Sequence, residues 1–302
     1  MSKQFKNQPL VSIILNCYNG ETYLDECIQS ILSQTYKNWE IIFWDNRSTD
    51  QSSKIFKSYK DQRFKYFFAF EHTLLYKARN EAIKKADGEL LAFLDVDDWW
   101  EKDKLELQVP LFNDLEVGLV YGNHYIFNEK TNTKKIFIKK KLPNGFILNH
   151  LLKKYHIGIL TVVIRKSCLK SKVSPFNEKF HIIGDFDLII KMSEKHKFDC
   201  VQKSIASYRL HEKNESLLQD SRYIEELKYW HKAMLASSEI SKNANFKNII
   251  NIINFIEIKN YIQKSNVQQA KILMKKMPIS LKKIKYMIAL LLPNYFLKRF
   301  II

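Results

Sequence analysis

The sequence predicts an α/β protein built on a doubly wound, mostly parallel sheet with helices on both faces, followed by a helical extension. Three observations predict it. Short apolar runs alternate with stretches of helical spacing from the start of the chain. Carboxylates stand directly after two of these runs, at the strand ends where open α/β sheets bind ligands. Beyond residue 220 the alternation stops and only helical spacing remains.

Residues 11–15 form an apolar run suited to a buried parallel strand. Residues 23–34 place Leu24, Cys27, Ile28, Ile31 and Leu32 on one helical face. A second strand is expected over 39–44, a helix over 52–59 and a third strand over 64–68. The helix predicted for 76–86 stops at Asp87-Gly88, and a fourth strand over 90–94 runs into Asp95-Val96-Asp97-Asp98. This βαβαβαβ order gives the parallel half. Afterwards the pattern changes. Residues 119–127 and 135–139 read as an antiparallel hairpin around a polar turn, 128–133. A helix over 146–153, a strand over 160–164, a helix over 186–195 and a strand over 205–210 complete a domain of residues 1–220. Residues 221–302 form the helical extension.

Composition narrows the function classes. Hydrophobic residues make up 46% of the chain, enough for a sizeable core. The cysteines Cys17, Cys27, Cys168 and Cys200 form no C-x-x-C pair and read as reduced thiols, not a zinc or disulfide framework. The start of the chain is polar and no apolar run reaches membrane-spanning length, so a cytoplasmic protein is expected. The net charge of +17 raises the question of nucleic acid. Much of it sits in the extension: Ser241 to Ile302 carries twelve Lys and Arg against one acid, Glu257. Without interleaved aromatic and basic residues or a known module, no nucleic-acid partner is expected.

Five segments carry chemistry. Asp95, Asp97 and Asp98 crowd three carboxylates behind an apolar strand, a concentration of charge usually held by a cation or by hydrogen-bond donors. The alternative is a solvated turn in which Asp98 caps a helix starting near Trp99. Asp45 ends the second strand, where a carboxylate can accept hydrogen bonds from a base or ribose; Ser48, Thr49 and Asp50 suit a helix cap. The turn Asn16-Cys17-Tyr18-Asn19-Gly20-Glu21 is neither a dinucleotide fingerprint nor a phosphate loop, and Tyr18 is a candidate to stack on a base. Asp185 and Asp187 flank Phe186 ahead of an apolar helix, one a candidate general base and the other a cap or orienting group. His211 ends Tyr208-Arg209-Leu210-His211 and is either a structural histidine or a further metal ligand.

In this order the segments resemble family 2 glycosyltransferases of the GT-A fold, of the bacterial cell-surface glycan type. The resemblance runs over residues 9–218 and rests on Asn16–Asn19, Ser30-Ile31-Leu32-Ser33-Gln34-Thr35-Tyr36, Asp45–Asp50, Ala78-Arg79-Asn80 through Gly88-Glu89, Leu94–Asp98, Gly184-Asp185-Phe186-Asp187-Leu188 and Tyr208–His211. It implies a Rossmann-like catalytic domain and a metal-dependent, inverting transfer from a nucleotide-sugar donor, most often a UDP-sugar, to a glycan or lipid-linked acceptor. Tyr18, Glu21, Asp45, Arg79 and Asp95 would contact the donor. Asp97 and His211 would hold Mn2+ or Mg2+, and Asp185 would be the general base. The chain departs from the pattern at Asn16 and Cys17, where Pro-Thr is usual, at Asn46, where a second Asp is usual, and at Gly184, where Glu is common.

The apolar, lysine-flanked end of the extension, residues 282–302, suits a basic interfacial helix. It predicts peripheral contact with an anionic membrane surface, on the inner face of the cytoplasmic membrane.

Overall fold

Among the described residues the strands assemble into one nine-stranded sheet. A computed structural model of the chain describes residues 8–169, 174–212, 214, 220–237 and 239–290. The chain divides into two compact units, Met1–Asn214 and Glu215–Ile302.

In the first unit, β1 (Val11–Cys17), β2 (Trp39–Asp45), β3 (Phe64–Phe68) and β4 (Leu90–Asp95) lie parallel in the order β3-β2-β1-β4. Helices α1 (Leu24–Leu32), α2 (Ser52–Ser58) and α3 (Leu75–Ile83) connect them. Side chains alternate across β1. Val11, Ile13, Leu15 and Cys17 join Leu24, Cys27 and Ile28 of α1 and Phe56 of α2 in the main core. The other face of the parallel strands carries Phe93, whose ring meets Phe176, which in turn stacks on Tyr76 of α3. Both faces of β1, β2 and β4 are therefore covered, which is why these strands are mostly apolar, while the edge strand β3 is only partly buried and carries Lys65.

The far half of the sheet is mixed. It contains β5 (Trp99–Trp100), β6 (Val117–Asn128), β7 (Thr133–Ile136), β8 (Val163–Arg165) and β9 (Lys197–Leu210). β8 runs antiparallel to both β4 and β6, β9 runs parallel to β6, and β5 runs antiparallel to β9. The expected hairpin is β6–β7, antiparallel over Tyr125–Asn128 and Thr133–Ile136. Helices α4 (Lys104–Gln108), α5 (Leu148–Lys153) and α6 (Gly184–Ser193) complete the unit.

Two local expectations are corrected. Residues 160–164 are not one strand: Ile159–Thr161 is a 3-10 turn and β8 starts at Val163. The carbonyls of Leu160 and Thr161 go to side chains, accepting from Trp100 Nε1 and Gln108 Nε2 at 2.8 Å each, so they are spent before a ladder can use them. No helix starts near Trp99; that residue is in β5, and Asp98 caps nothing. Its Oδ1 accepts the backbone N–H of Arg209 at 2.8 Å.

The second unit contains α7 (Asp220–Ser237), α8 (Lys247–Gln263), α9 (Val267–Lys275) and α10 (Leu281–Ala289). Phe255, Ile258, Ile262, Ala270, Met274, Met277 and Leu290 form its own core cluster. Asn266 caps α9 by accepting from Gln269 N–H, and Ser280 caps α10 by accepting from Lys283 N–H. Along α10, Ile284, Met287 and Ile288 leave an exposed apolar stripe at helical spacing. Residues 291–302 of the expected interfacial segment lie outside the described residues. Among the described residues no helix is long and apolar enough to cross a membrane.

Candidate active site

Parallel registry brings the ends of three strands together: Cys17 pairs with Asp45, and Asn16 with Asp95. Two loops leave this edge and are stitched to each other. Gly20 N–H donates to Ser52 Oγ at 2.9 Å, Glu21 N–H to Asp50 Oδ2 at 2.9 Å and Gln51 N–H to Glu21 Oε2 at 2.8 Å. Asn19, in the left-handed region at φ 53°, accepts Thr49 N–H on its Oδ1 at 2.8 Å. Glu21 thus holds the start of α2, and Asp50 holds the β1 loop.

Asp45 is fully buried. Its Oδ1 accepts Ser48 N–H and its Oδ2 accepts the Tyr66 hydroxyl, each at 2.7 Å, so the carboxylate shapes its own loop. Beside it, Asn46 makes a two-way bond with the Thr73 backbone: Nδ2 donates to Thr73 O at 2.7 Å, and Oδ1 accepts Thr73 N–H at 3.2 Å. An aspartate could make only the second bond, which gives the departure at this position a structural reason. The same contact sets His72, whose Nδ1 is 2.9 Å from Asn46 O, against the half-exposed ring of Tyr18 at 4.2 Å between centroids. The exposed phenol face is available to stack on a planar ligand.

Arg79, on α3, is buried and pairs with Asp95 at 2.5 Å. Burial opposes its charge, but Asp95, Tyr76 and Asp185 together hold its pKa above the ordinary value. Two residues on, Asp97 meets His211: Oδ2 and Nε2 are 3.0 Å apart, with Asn214 Nδ2 3.5 Å from the same oxygen. Burial, then the charge of Asp95, raises the Asp97 carboxyl above its ordinary range. Asp98, deeper still, is pushed well above it by burial and by Asp97.

Arg209 ties the turn to the late strand. Its Nε donates to Asp97 O at 2.9 Å and its guanidinium bonds Glu26. The same guanidinium lies over the rings of Tyr23 and Trp99 at 4.5 and 4.7 Å. Asn214 Oδ1 accepts His211 N–H at 2.5 Å and fixes the histidine's backbone.

Asp185 sits in the first turn of α6, and Arg79 and Asp95 act on it electrostatically. Its Oδ1 accepts its neighbour Phe186 N–H at 2.8 Å and lies 3.1 Å from the Tyr76 hydroxyl. Burial raises its carboxyl, and Arg79 pulls it back. Asp187 is turned to Lys191 on its own helix at 2.8 Å, which ties it down.

The sheet edge therefore brings together Arg79, Asp95, Asp97, His211 and Asp185, with Tyr18 and Glu21 on the adjoining loops and Asp45 beneath them. Tyr76, Arg209 and Asn214 were not singled out from sequence. Arg209 lies inside a recognisable motif, whereas Tyr76 and Asn214 carry no local signal. Among the described residues no group of three or more His, Cys, Asp or Glu encloses a metal alone. A carboxylate and an imidazole in contact, the carboxylate raised by burial, nevertheless fit a divalent ion that takes its other ligands from a phosphorylated substrate.

Comparison with known proteins gives consistent matches. The model of the family described as Glycosyl transferase family 2 matches residues 12–167. The E. coli protein UDP-Glc:alpha-D-GlcNAc-diphosphoundecaprenol beta-1,3-glucosyltransferase WfgD is 31% identical over 223 residues, 73% of this chain and 84% of its own length. The putative teichuronic acid biosynthesis glycosyltransferase TuaG of Bacillus subtilis is 33% identical over 159 residues, 52% of this chain and 62% of its own. Among solved structures, S. aureus TarS 1-349 in complex with UDP-GlcNAc superposes with a TM-score of 0.67 at 18% identity, over 96% of this chain and 90% of that one. The Pyrobaculum calidifontis mannosyltransferase PcManGT, in complex with GDP-Man and Mn2+, gives 0.64 at 16%, over 98% and 85%. These last two likenesses show the shared fold.

Proposed function

From the premise that the chain belongs to glycosyl transferase family 2, we propose that it moves one sugar from a UDP-sugar donor to a lipid-linked acceptor in bacterial cell-surface polysaccharide synthesis, with inversion at the anomeric carbon. The observation that carries the reading is the contact of Asp97 with His211 beside the Arg79–Asp95 pair at the strand ends. The names of WfgD, whose acceptor is a sugar diphosphoundecaprenol, and of the UDP-GlcNAc complex of TarS support the lipid-linked acceptor and the uridine donor.

In this reading Tyr18 stacks on the base, and Glu21 and Asp45 hold the loops that frame it. Asp95 meets the ribose or sugar, and Arg79 meets negative charge on the diphosphate. Asp97 and His211 hold Mn2+ or Mg2+, which when bound neutralises charge on the leaving diphosphate. Asp185 takes the proton of the acceptor hydroxyl as that oxygen attacks the anomeric carbon and the bond to the nucleoside diphosphate breaks. The exposed stripe of α10, Ile284, Met287 and Ile288 among lysines, supports contact of the extension with an anionic membrane surface, where a lipid-linked acceptor resides.

The test is thermal stabilisation by UDP, GDP, dTDP and CDP, each with and without Mn2+. A Mn2+-dependent shift with UDP is expected, because a ligand that binds only the folded state raises apparent stability. A shift with another nucleotide alone would replace the donor assignment, and no shift with any would overturn the reading.

A further inference from the structure

We propose that Tyr76 is a positioning residue for Asp185, its hydroxyl donating to the charged carboxylate and turning to the Ile182 carbonyl once that carboxylate is protonated, and that Gly184 is the residue that admits it. The inference rests on the reading of Asp185 as the base.

Tyr76 is 2% exposed and its hydroxyl has two acceptors in reach, Ile182 O at 2.8 Å and Asp185 Oδ1 at 3.1 Å. A phenol has one proton and spare lone pairs. While Asp185 is charged, the proton is divided between the carboxylate and the carbonyl. Oδ1 of Asp185 is occupied by Tyr76 and the Phe186 N–H, so the acceptor's proton goes to Oδ2, and Tyr76 then donates wholly to Ile182 O. No heavy atom has to move, and the transferred proton stays on Asp185. Tyr76 itself does not titrate in this exchange, since burial first, and Asp185 next, hold its phenol well above the ordinary value.

The fit of the ring depends on residue 184. A Cβ built there would lie 2.5 Å from Tyr76 Cδ2 and 2.6 Å from Cγ. These atoms cannot swing away, because the ring is stacked on Phe176 at 5.3 Å between centroids. A side chain at 184 would force the Tyr76 ring or the start of α6 to shift, so the glycine here makes the room that the tyrosine fills. The other groups acting on Asp185 are the Arg79 guanidinium, the Phe186 N–H and the Asp95 carboxylate.

Tyr76→Phe keeps the ring and removes the hydroxyl. The charged carboxylate loses a donor, so Asp185 holds its proton to higher pH. With UDP-glucose and a synthetic GlcNAc-diphospholipid as probes, the acid limb of the kcat–pH profile is expected to move up by about one unit. That is about a tenfold loss of kcat below the limb, with KM for UDP-glucose unchanged. A role in packing alone would lower kcat equally at every pH, and an unmoved limb would overturn the proposal. A readout free of turnover is the carboxyl titration of 13C-aspartate-labelled protein, in which the resonance missing from Asp185→Asn identifies the group. Its midpoint should rise in Tyr76→Phe and in Gly184→Ala, and an unchanged midpoint in both would also overturn the proposal. Asp185→Asn separates the two readings. Wild-type turnover in that variant removes the base assignment itself; an inactive Asp185→Asn beside an unshifted Tyr76→Phe removes only the role of Tyr76.

Discussion

Asp97 Oδ2 and His211 Nε2 lie 3.0 Å apart although 114 residues separate them in sequence. Two features close this distance. Asp98 and the Asp97 carbonyl anchor the turn to Arg209, and Asn214 fixes the backbone of His211.

His211→Ala and Asp97→Ala are expected to abolish the Mn2+-dependent part of UDP stabilisation while leaving the metal-free part. Asn214→Ala, which touches both residues from outside, should weaken apparent Mn2+ affinity about tenfold. Titrating Mn2+ into the UDP complex by calorimetry measures all three; unchanged affinity in His211→Ala removes that ligand assignment.

Gln34 is fully buried and joins three backbone groups: Nε2 donates to Ser30 O and Glu101 O, and Oε1 accepts Leu105 N–H. In Gln34→Ala the Ser30 carbonyl keeps Ser33 Oγ and the Glu101 carbonyl keeps Lys104 N–H, but Leu105 N–H loses its acceptor, which should cost about 2 kcal/mol. Urea unfolding checks it, and a loss below about 1 kcal/mol would show that the segment reorganises.

His124 is buried, its ring stacked on Phe137 at 4.4 Å, and burial lowers its pKa to about 4. The folded value lies below the unfolded one, so the unfolded chain takes the proton first. Stability should therefore fall as pH drops from about 6.5 towards about 4, by about 3 kcal/mol from this group. Denaturant midpoints across this window should fall more steeply for the native chain than for His124→Phe; parallel slopes would sink the assignment.

Removing residues 282–302 should release the protein from vesicles containing anionic lipid, with neutral vesicles binding neither form. Equal sedimentation of both forms with anionic vesicles would remove the extension as the membrane contact.

Much of the architecture was legible because buried parallel strands must be apolar throughout. The runs at Val11, Trp39 and Leu90 each became a buried strand, and the partly buried run at Phe64 became the edge strand beside them. The same rule misled at Leu160, where an apolar run is buried yet its carbonyls are claimed by Trp100 and Gln108 from elsewhere in the fold. For Asp98 the sequence leaves a donor-held carboxylate and a helix cap both open, and its partner is the Arg209 backbone N–H, 111 residues away. Candidate site residues after a strand end, such as Asp97, or in the first turn of a helix, such as Asp185, left local signals. Those that act by filling space, such as Tyr76 against Gly184, left none, because complementarity between distant positions has no periodicity.

The loops after β1 and β2 exchange hydrogen bonds in both directions, from Gly20 to Ser52 and Glu21 to Asp50, and back from Thr49 to Asn19 and Gln51 to Glu21. They thus form one hydrogen-bonded piece although α1 and β2 lie between them. A recombination breakpoint anywhere from residue 22 to 44 would pair each loop with a stranger and orphan donors on both sides. Chimeras that exchange this region among relatives should carry residues 17–52 as a block, and drift in either loop is constrained by what the other can accept.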